Sequence, residues 1–173
     1  LRLINFLLNS SWQEIPSFPL IFIALKSPDF SFLEGKIHTS TGQIIEEKDL
    51  RNHLEAKIIP YSQARGFLFD NQYLMVGALA RLNLAKENLH PETKKDANTA
   101  LLRFPSNNFF DNNLAQAIEI LHAIDASLEI IEKLEQITHE SLPKITPKSS
   151  VGIGVIEAPR GTLYHQLLLS LIH

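Results

Sequence analysis

Arg160 stands between Pro159 and Gly161, directly after the apolar run Val151 to Ile156, so a permanently charged side chain is carried on a turn of restricted backbone. Proline fixes its own φ and drives Ala158 toward extended geometry, while Gly161 permits conformations that other residues avoid. A guanidinium presented on such a turn is a planar fork of donors that can polarise a small ligand or hold an anion without readily exchanging protons. Taken alone, Pro-Arg-Gly also describes an ordinary turn with a solvated arginine. Thiolate chemistry is excluded: the 173 residues include no cysteine, which removes disulfides, thiolate metal ligands and a cysteine nucleophile together.

Other chemistry-bearing residues are sparse. His122 sits beside an apolar helical stripe, where a packing histidine is the simpler account, and His38, His53, His90 and His139 show no ligand spacing. Glu129, Glu132 and Glu135 are spaced for one solvated helix face. No phosphate-binding glycine loop or nucleophile elbow is present. A chain 45% hydrophobic and 20% charged, with a net charge of -3, has the composition of a globular domain and no nucleic-acid footprint. The longest apolar runs, Leu20 to Leu25 and Leu167 to Leu169, fall far below the ~18 residues of a membrane span. No secretory leader is read, and Leu1 in place of an initiator methionine suggests a fragment or processed product.

The elements that must position these residues read as a single unit over 1–173. Leu20 to Leu25 reads as a strand between prolines, and Phe32 to Ile45 alternates around Thr41-Gly42 as a hairpin. Asp49 opens an expected helix, with Leu50, Leu54, Ile58 and Ile59 on one face and Pro60 ending it. From Asp111 to about Ile137 apolar residues recur at helical period, and Leu121, Ile124, Leu128 and Ile131 are expected to be buried. Ser141 to Ser150 reads as a loop, after which Val151 to Ile156 extends toward the arginine turn. The fold class expected is α+β, mainly α: a long-helix bundle with a small N-terminal β-hairpin region and a C-terminal extended arginine turn.

The run Gly154-Val155-Ile156-Glu157-Ala158-Pro159-Arg160-Gly161-Thr162-Leu163-Tyr164-His165 resembles the arginine-bearing active-site segment of the large subunit of nickel-iron hydrogenases. Tyr73 to Asn83 resembles that family's valine-glycine-proline-leucine-alanine-arginine segment, Ile58 to Ala64 its preceding tyrosine-serine stretch, and Asn113 to Glu119 the opening of a long helix. The blocks occur in the family's order, from about Phe32 to His165, and resemble most the soluble, cofactor-coupled members. The resemblance implies reversible oxidation of H2 to protons and electrons at a nickel-iron cluster with CO and CN ligands, electrons leaving through an iron-sulfur small subunit, and a cytoplasmic location. It implies that Arg160 projects over the open metal position, that Pro159 and Ala158 line the pocket around the iron's ligands, that Glu157 and His165 support the turn, and that Arg81 is structural.

The departures are as specific. The family holds its metals with two Cys-x-x-Cys pairs near its termini, and this sequence has neither, so the chain is expected to be a central fragment that lacks the N- and C-terminal parts, binds no cofactor and does not turn over H2 alone. Ala78 replaces a usual proline, and the leucine-rich run from Gln166 to His173 is unlike the family's continuation and is followed by no glycine turn or second strand of the expected kind. A cysteine-free relative of the quinone-reductase subunit of respiratory complex I, or a degenerate module serving interaction or assembly, is the alternative reading. Arg160 is expected to point into a partly apolar hollow, with Glu157 its candidate partner.

Overall fold

The computed structural model describes residues 1–10, 19–134 and 141–170. Its centre is β1 (Leu20–Lys26), whose uninterrupted apolar sequence is that of a strand covered on both faces. Ile21, Ile23 and Leu25 face one core, which Ile37, Ile45, Leu50, Phe69 and Val155 complete. Phe22 faces the other, built from helical residues such as Leu79, Leu82, Leu114 and Ile118.

Around β1 runs a six-stranded sheet with β2 (Lys36–Thr39), β3 (Ile44–Ile45), β4 (Leu54–Ile58), β5 (Arg65–Phe69) and β6 (Gln72–Met75), in the order β3-β2-β1-β6-β5-β4. β1 and β6 pair in parallel and the other neighbours antiparallel. The helices are α1 (Arg2–Leu8), α2 (Ala78–Ala85), α3 (Pro91–Asp96), α4 (Asn98–Leu101) and α5 (Asp111–Leu134). A separate hairpin, β7 (Ser150–Ala158) and β8 (Gly161–Leu169), contributes Val155 and Tyr164 to the core opposite the helices.

The expected helix-dominated bundle is thus a mixed α/β architecture around a sheet. Its largest correction lies at Asp49 to Pro60: Leu50–His53 forms one short 3-10 turn, and Leu54–Ile58 is β4, paired with β5 from Leu54↔Phe69 to Ile58↔Arg65. The four apolar residues placed on one helical face are divided between a buried Leu50 and an Ile58 that is 86% exposed. Cross-strand pairing with Arg65–Phe69 overrode the helical spacing, because a strand gains its hydrogen bonds from a partner the local pattern does not contain. The β5–β6 turn is Asp70-Asn71, with φ 45 and 64, the paired left-handed residues of a two-residue hairpin loop. Expectation and structure agree on β1 and on the hairpin around Thr41-Gly42, where Gly42 has φ 87. The leucine-rich run from Gln166, unlike the family's continuation, pairs with β7 as far as Leu169.

The long helix forms from Asp111 as expected; its anticipated end at Ile137 lies outside the described residues. The expected buried stripe is corrected. Only the N-terminal half is covered, through Leu114, Ala115, Ala117, Ile118, Glu119 and His122, while Leu121 is half-buried and Ile124, Leu128 and Ile131 are exposed. Helical period identifies an apolar face; only the neighbouring elements decide how much of it is covered, and α1, α2 and α3 pack against α5. Accordingly Ile118→Ala should cost about 2–5 kcal/mol in urea denaturation, and Ile124→Ala about 0.5 kcal/mol or less. Equal losses at the two positions would contradict this division.

Candidate functional site

The arginine turn is the two-residue loop of the β7–β8 hairpin, with Ala158 opposite Gly161. Such loops favour left-handed backbone at their first central residue, which proline cannot adopt. The Pro159-Arg160 loop therefore lacks the intrinsic preference of Asp70-Asn71 and is held from outside. Glu157, next to the last residue of β7, donates its backbone N–H to the Phe32 carbonyl at 2.7 Å. Its side chain is buried, and Oε1 accepts from the Leu25 N–H at 2.8 Å and from Thr162 Oγ1 at 3.1 Å.

Arg81 completes the support. It lies on α2 amid Leu79, Ala80 and Leu82, and is only 2% exposed. Nε and Nη2 donate to the two carboxylate oxygens of Glu119 at 2.6 and 2.8 Å, a bidentate pair, and Nη1 donates to Glu157 Oε2 at 2.7 Å. Nη1 also reaches the carbonyl of Ala158 at 3.0 Å and Nη2 that of Pro159 at 3.3 Å. The guanidinium carbon lies 5.0 Å from the centre of the Phe32 ring. Burial pushes Glu119 above the usual carboxylate range; Arg81 opposes the shift and the nearby charge of Glu157 adds to it. Burial alone would depress the Arg81 pKa, yet the hydrogen bonds and charges of the two glutamates outweigh it and leave the value raised.

The turn also meets the start of α2 at close range. A Cβ on Gly77, which has φ 90, would lie 3.2 Å from the Arg160 carbonyl oxygen, and one on Gly161, with φ 146, would lie 2.4 Å from Val76 Cγ2. Both glycines are required by proximity as well as conformation. Ala78 is the first residue of α2, a position that proline also suits. The α2 N-terminus has no side-chain cap of its own, and Asn112 of α5 accepts the Leu79 N–H at 3.2 Å. Two segments resembling the hydrogenase family, far apart in sequence, thus meet here, with the opening of the long helix beside them.

Among the expected site residues, Glu157 is buried beneath the turn and pairs with Arg81, not with Arg160 as anticipated. Pro159 joins Phe32, Gln116, Glu119, Ile120, Ala123 and Glu157 around a hollow of ≈ 440 Å³. Ala158 is half-buried, while Arg160 is exposed and is not part of that wall. No ion pair engages it among the described residues. His165 is exposed and stands opposite Gly154, well along β8 from the turn. Glu119 is the site residue that sequence reasoning missed: it was given no role at the site. The available signal was reciprocal: an arginine embedded in an apolar helix requires a buried carboxylate, and Glu119 directly follows the core residue Ile118.

His122 is a buried packing residue, as expected. Its Nδ1 accepts the His90 N–H at 3.1 Å and its ring meets Phe30 edge-on at 5.0 Å. No group of three His, Asp or Glu side chains suited to a metal ion occurs among the described residues, and no helix there is long and apolar enough to cross a membrane.

No family model matches the sequence. Sulfhydrogenase 2 subunit alpha of Pyrococcus furiosus is 33% identical over 108 residues, covering 62% of this chain and 26% of that protein. Sulfhydrogenase 1 subunit alpha of the same organism is 29% identical over 154 residues, 86% of this chain and 36% of its own length. The chain is related to hydrogenase subunits. A third relative, the NAD-reducing hydrogenase HoxS subunit beta of Cupriavidus necator, is 34% identical over 103 residues, 52% of this chain and 20% of that one. The chain therefore spans between a fifth and about a third of the length of these hydrogenase relatives. The same fold occurs in the NiFeSe hydrogenase of Dm. baculatum, with a TM-score of 0.54 at 16% identity over 86% of this chain and 38% of the other.

Two measurements probe this arrangement. Glu157→Ala should cost roughly 3–5 kcal/mol, because it leaves part of a buried cation uncompensated and strips an acceptor from Leu25; denaturation showing a loss below about 1 kcal/mol would contradict the geometry. The second concerns acid. Burial first, then the neighbouring charge of His90, holds His122 below its ordinary value of 6.5, against the opposing backbone hydrogen bond to Phe30 and the charges of Asp125 and Asp29. The unfolded chain binds this proton more readily, so the contribution to stability is fully present above pH 6.5 and is lost as pH falls through the depressed folded value. NMR titration should give the His122 ring a midpoint below 6.5, and a midpoint above it would reverse the sign.

Proposed function

We propose that this chain is the central part of the large, hydrogen-activating subunit of a nickel-iron hydrogenase, with Arg160 the residue it contributes to the reacting centre. The parent activity is reversible oxidation of H2 to protons and electrons, with electrons passing to an iron-sulfur partner subunit. The observation that carries this reading is the meeting of Val76 to Arg81 with Glu157 to Gly161: separate segments that resemble the family converge around one turn and leave its arginine outward. Sequence similarity to several hydrogenase subunits supports the same reading.

The chain's own residues do not fit the nickel-iron cluster. There is no thiolate in the sequence, and no converging His and carboxylate set replaces it among the described residues. Cluster ligands must therefore come from outside the 173 residues given. What this chain supplies is a fixed cation: the turn is held through its backbone, and the guanidinium it carries is planar, permanently charged and unencumbered by an ion pair among the described residues. Pro159 stiffens the same turn and presents an apolar surface beside it.

In the complete subunit assembled with its metals, Arg160→Lys should leave metal content intact and reduce H2 oxidation by roughly 100-fold, the scale for losing an oriented donor at a reacting centre. Metal analysis and dye-linked H2 oxidation on the same preparation check it. An enzyme with full metal and wild-type rate would overturn the role of Arg160.

A further inference from the structure

We infer that Arg81 is a positioning residue whose hydrogen bonds to the Ala158 and Pro159 carbonyls set the direction in which Arg160 projects, a conclusion that deepens the role proposed for Arg160 and rests on it. The first of those carbonyls belongs to the Ala158–Pro159 peptide and the second to the Pro159–Arg160 peptide. Holding both fixes the two planes that flank Pro159 and so orients the bond from which the Arg160 side chain departs. The third plane, Arg160–Gly161, lies against Val76 and Gly77 so closely that neither glycine could carry a Cβ without displacing the other segment.

The loop cannot impose this order itself. Its first residue is a proline, barred from the left-handed backbone that a two-residue hairpin prefers, whereas both residues of the Asp70-Asn71 loop adopt that backbone. Arg81 is in turn prevented from moving: Glu119 grips it bidentately from α5, Glu157 grips it from β7, and Phe32 covers its face. Every peptide around Arg160 is thus restrained while its side chain is exposed. A turn needed only to close the hairpin would not require a buried arginine directed at two consecutive carbonyls.

The test separates this role from general stabilisation by comparing Arg81→Lys with Glu119→Gln in the 173-residue chain. Lysine keeps the charge and can still meet a carboxylate, but its single nitrogen cannot reproduce the fork that serves both glutamates and both carbonyls. Glu119→Gln weakens the same network yet leaves Arg81 to bind the turn. NMR relaxation should show the Arg160 and Gly161 amides falling from an order parameter of about 0.85 to below about 0.6 in Arg81→Lys, with Leu79 and Ile118 unchanged, and remaining rigid in Glu119→Gln. If Arg81→Lys fails to fold, the double variant Arg81→Lys/Glu119→Gln, which removes the excess buried carboxylate, replaces it with the same expectation. A turn that stays rigid without the guanidinium, or one that loosens equally in Glu119→Gln, overturns the inference.

In the assembled hydrogenase the same substitution should lower kcat while leaving metal content and the KM for H2 unchanged. Slow turnover in Arg160→Lys beside wild-type turnover in Arg81→Lys would overturn the positioning role alone. Wild-type turnover in Arg160→Lys would instead remove the proposed function, while the order-parameter comparison would still decide whether Arg81 fixes the turn.

Discussion

One buried guanidinium joins the parts of this molecule. Arg81 is almost fully removed from solvent, and it contacts α5 through Glu119, the β7–β8 hairpin through Glu157 and two backbone carbonyls, and the loop after β1 through the Phe32 ring. Removing a cation from water costs several kcal/mol unless its donors are met, which is why the surroundings are so fully committed. Two carboxylates for one cation leave an excess of negative charge, and the raised Glu119 pKa reflects that excess added to burial. Replacing the network with apolar side chains could stabilise the fold as well or better. What apolar packing lacks is direction, because only hydrogen bonds at defined angles can fix a peptide plane.

That distinction bears on the relation between hydrogenase resemblance and structure. Three of the family-like blocks meet: glycines of two segments interlock at the turn, Asn112 at the opening of α5 caps the α2 segment, and Arg81 binds the final hairpin, whereas Ile58 to Ala64 lies at the end of the β4–β5 hairpin and is mostly exposed. The intervening stretches, including the hairpin of β4 and β5, satisfy themselves mainly by pairing with each other.

Residues whose structure is decided locally were legible from the sequence. The apolar run at Leu20 to Leu25 formed the expected strand, Thr41-Gly42 turned a hairpin, and 24 residues of helical period formed a helix. What was not legible depended on partners distant in sequence. Leu54 to Ile58 carried helical spacing and became a strand because Arg65–Phe69 was available to pair. Ile124, Leu128 and Ile131 carried the pattern of buried residues, but they lie on a part of the α5 face that is left exposed. At the site, Pro159-Arg160-Gly161 announced a turn, and the likeness to an active-site segment singled out its arginine. The Glu119 carboxylate, by contrast, gave no pattern of its own, and Glu157 was matched to the wrong arginine, since a long side chain's direction is not encoded in sequence separation.

The contacts of Arg81 also impose an order on assembly. Its two acidic partners lie 38 and 76 residues further along the chain. During synthesis, α2 can form as soon as its own residues emerge, but burying the guanidinium then would strand a charge in an apolar core. That face stays hydrated until α5 brings the first carboxylate, and the last hairpin then adds the second. Completion of the Arg81 hydrogen-bond network is thereby coupled to the arrival of the segment that bears Arg160. A nascent chain halted before Glu157 holds Arg81 through Glu119 alone, with the remaining donor of its guanidinium unmet until the C-terminal hairpin is made.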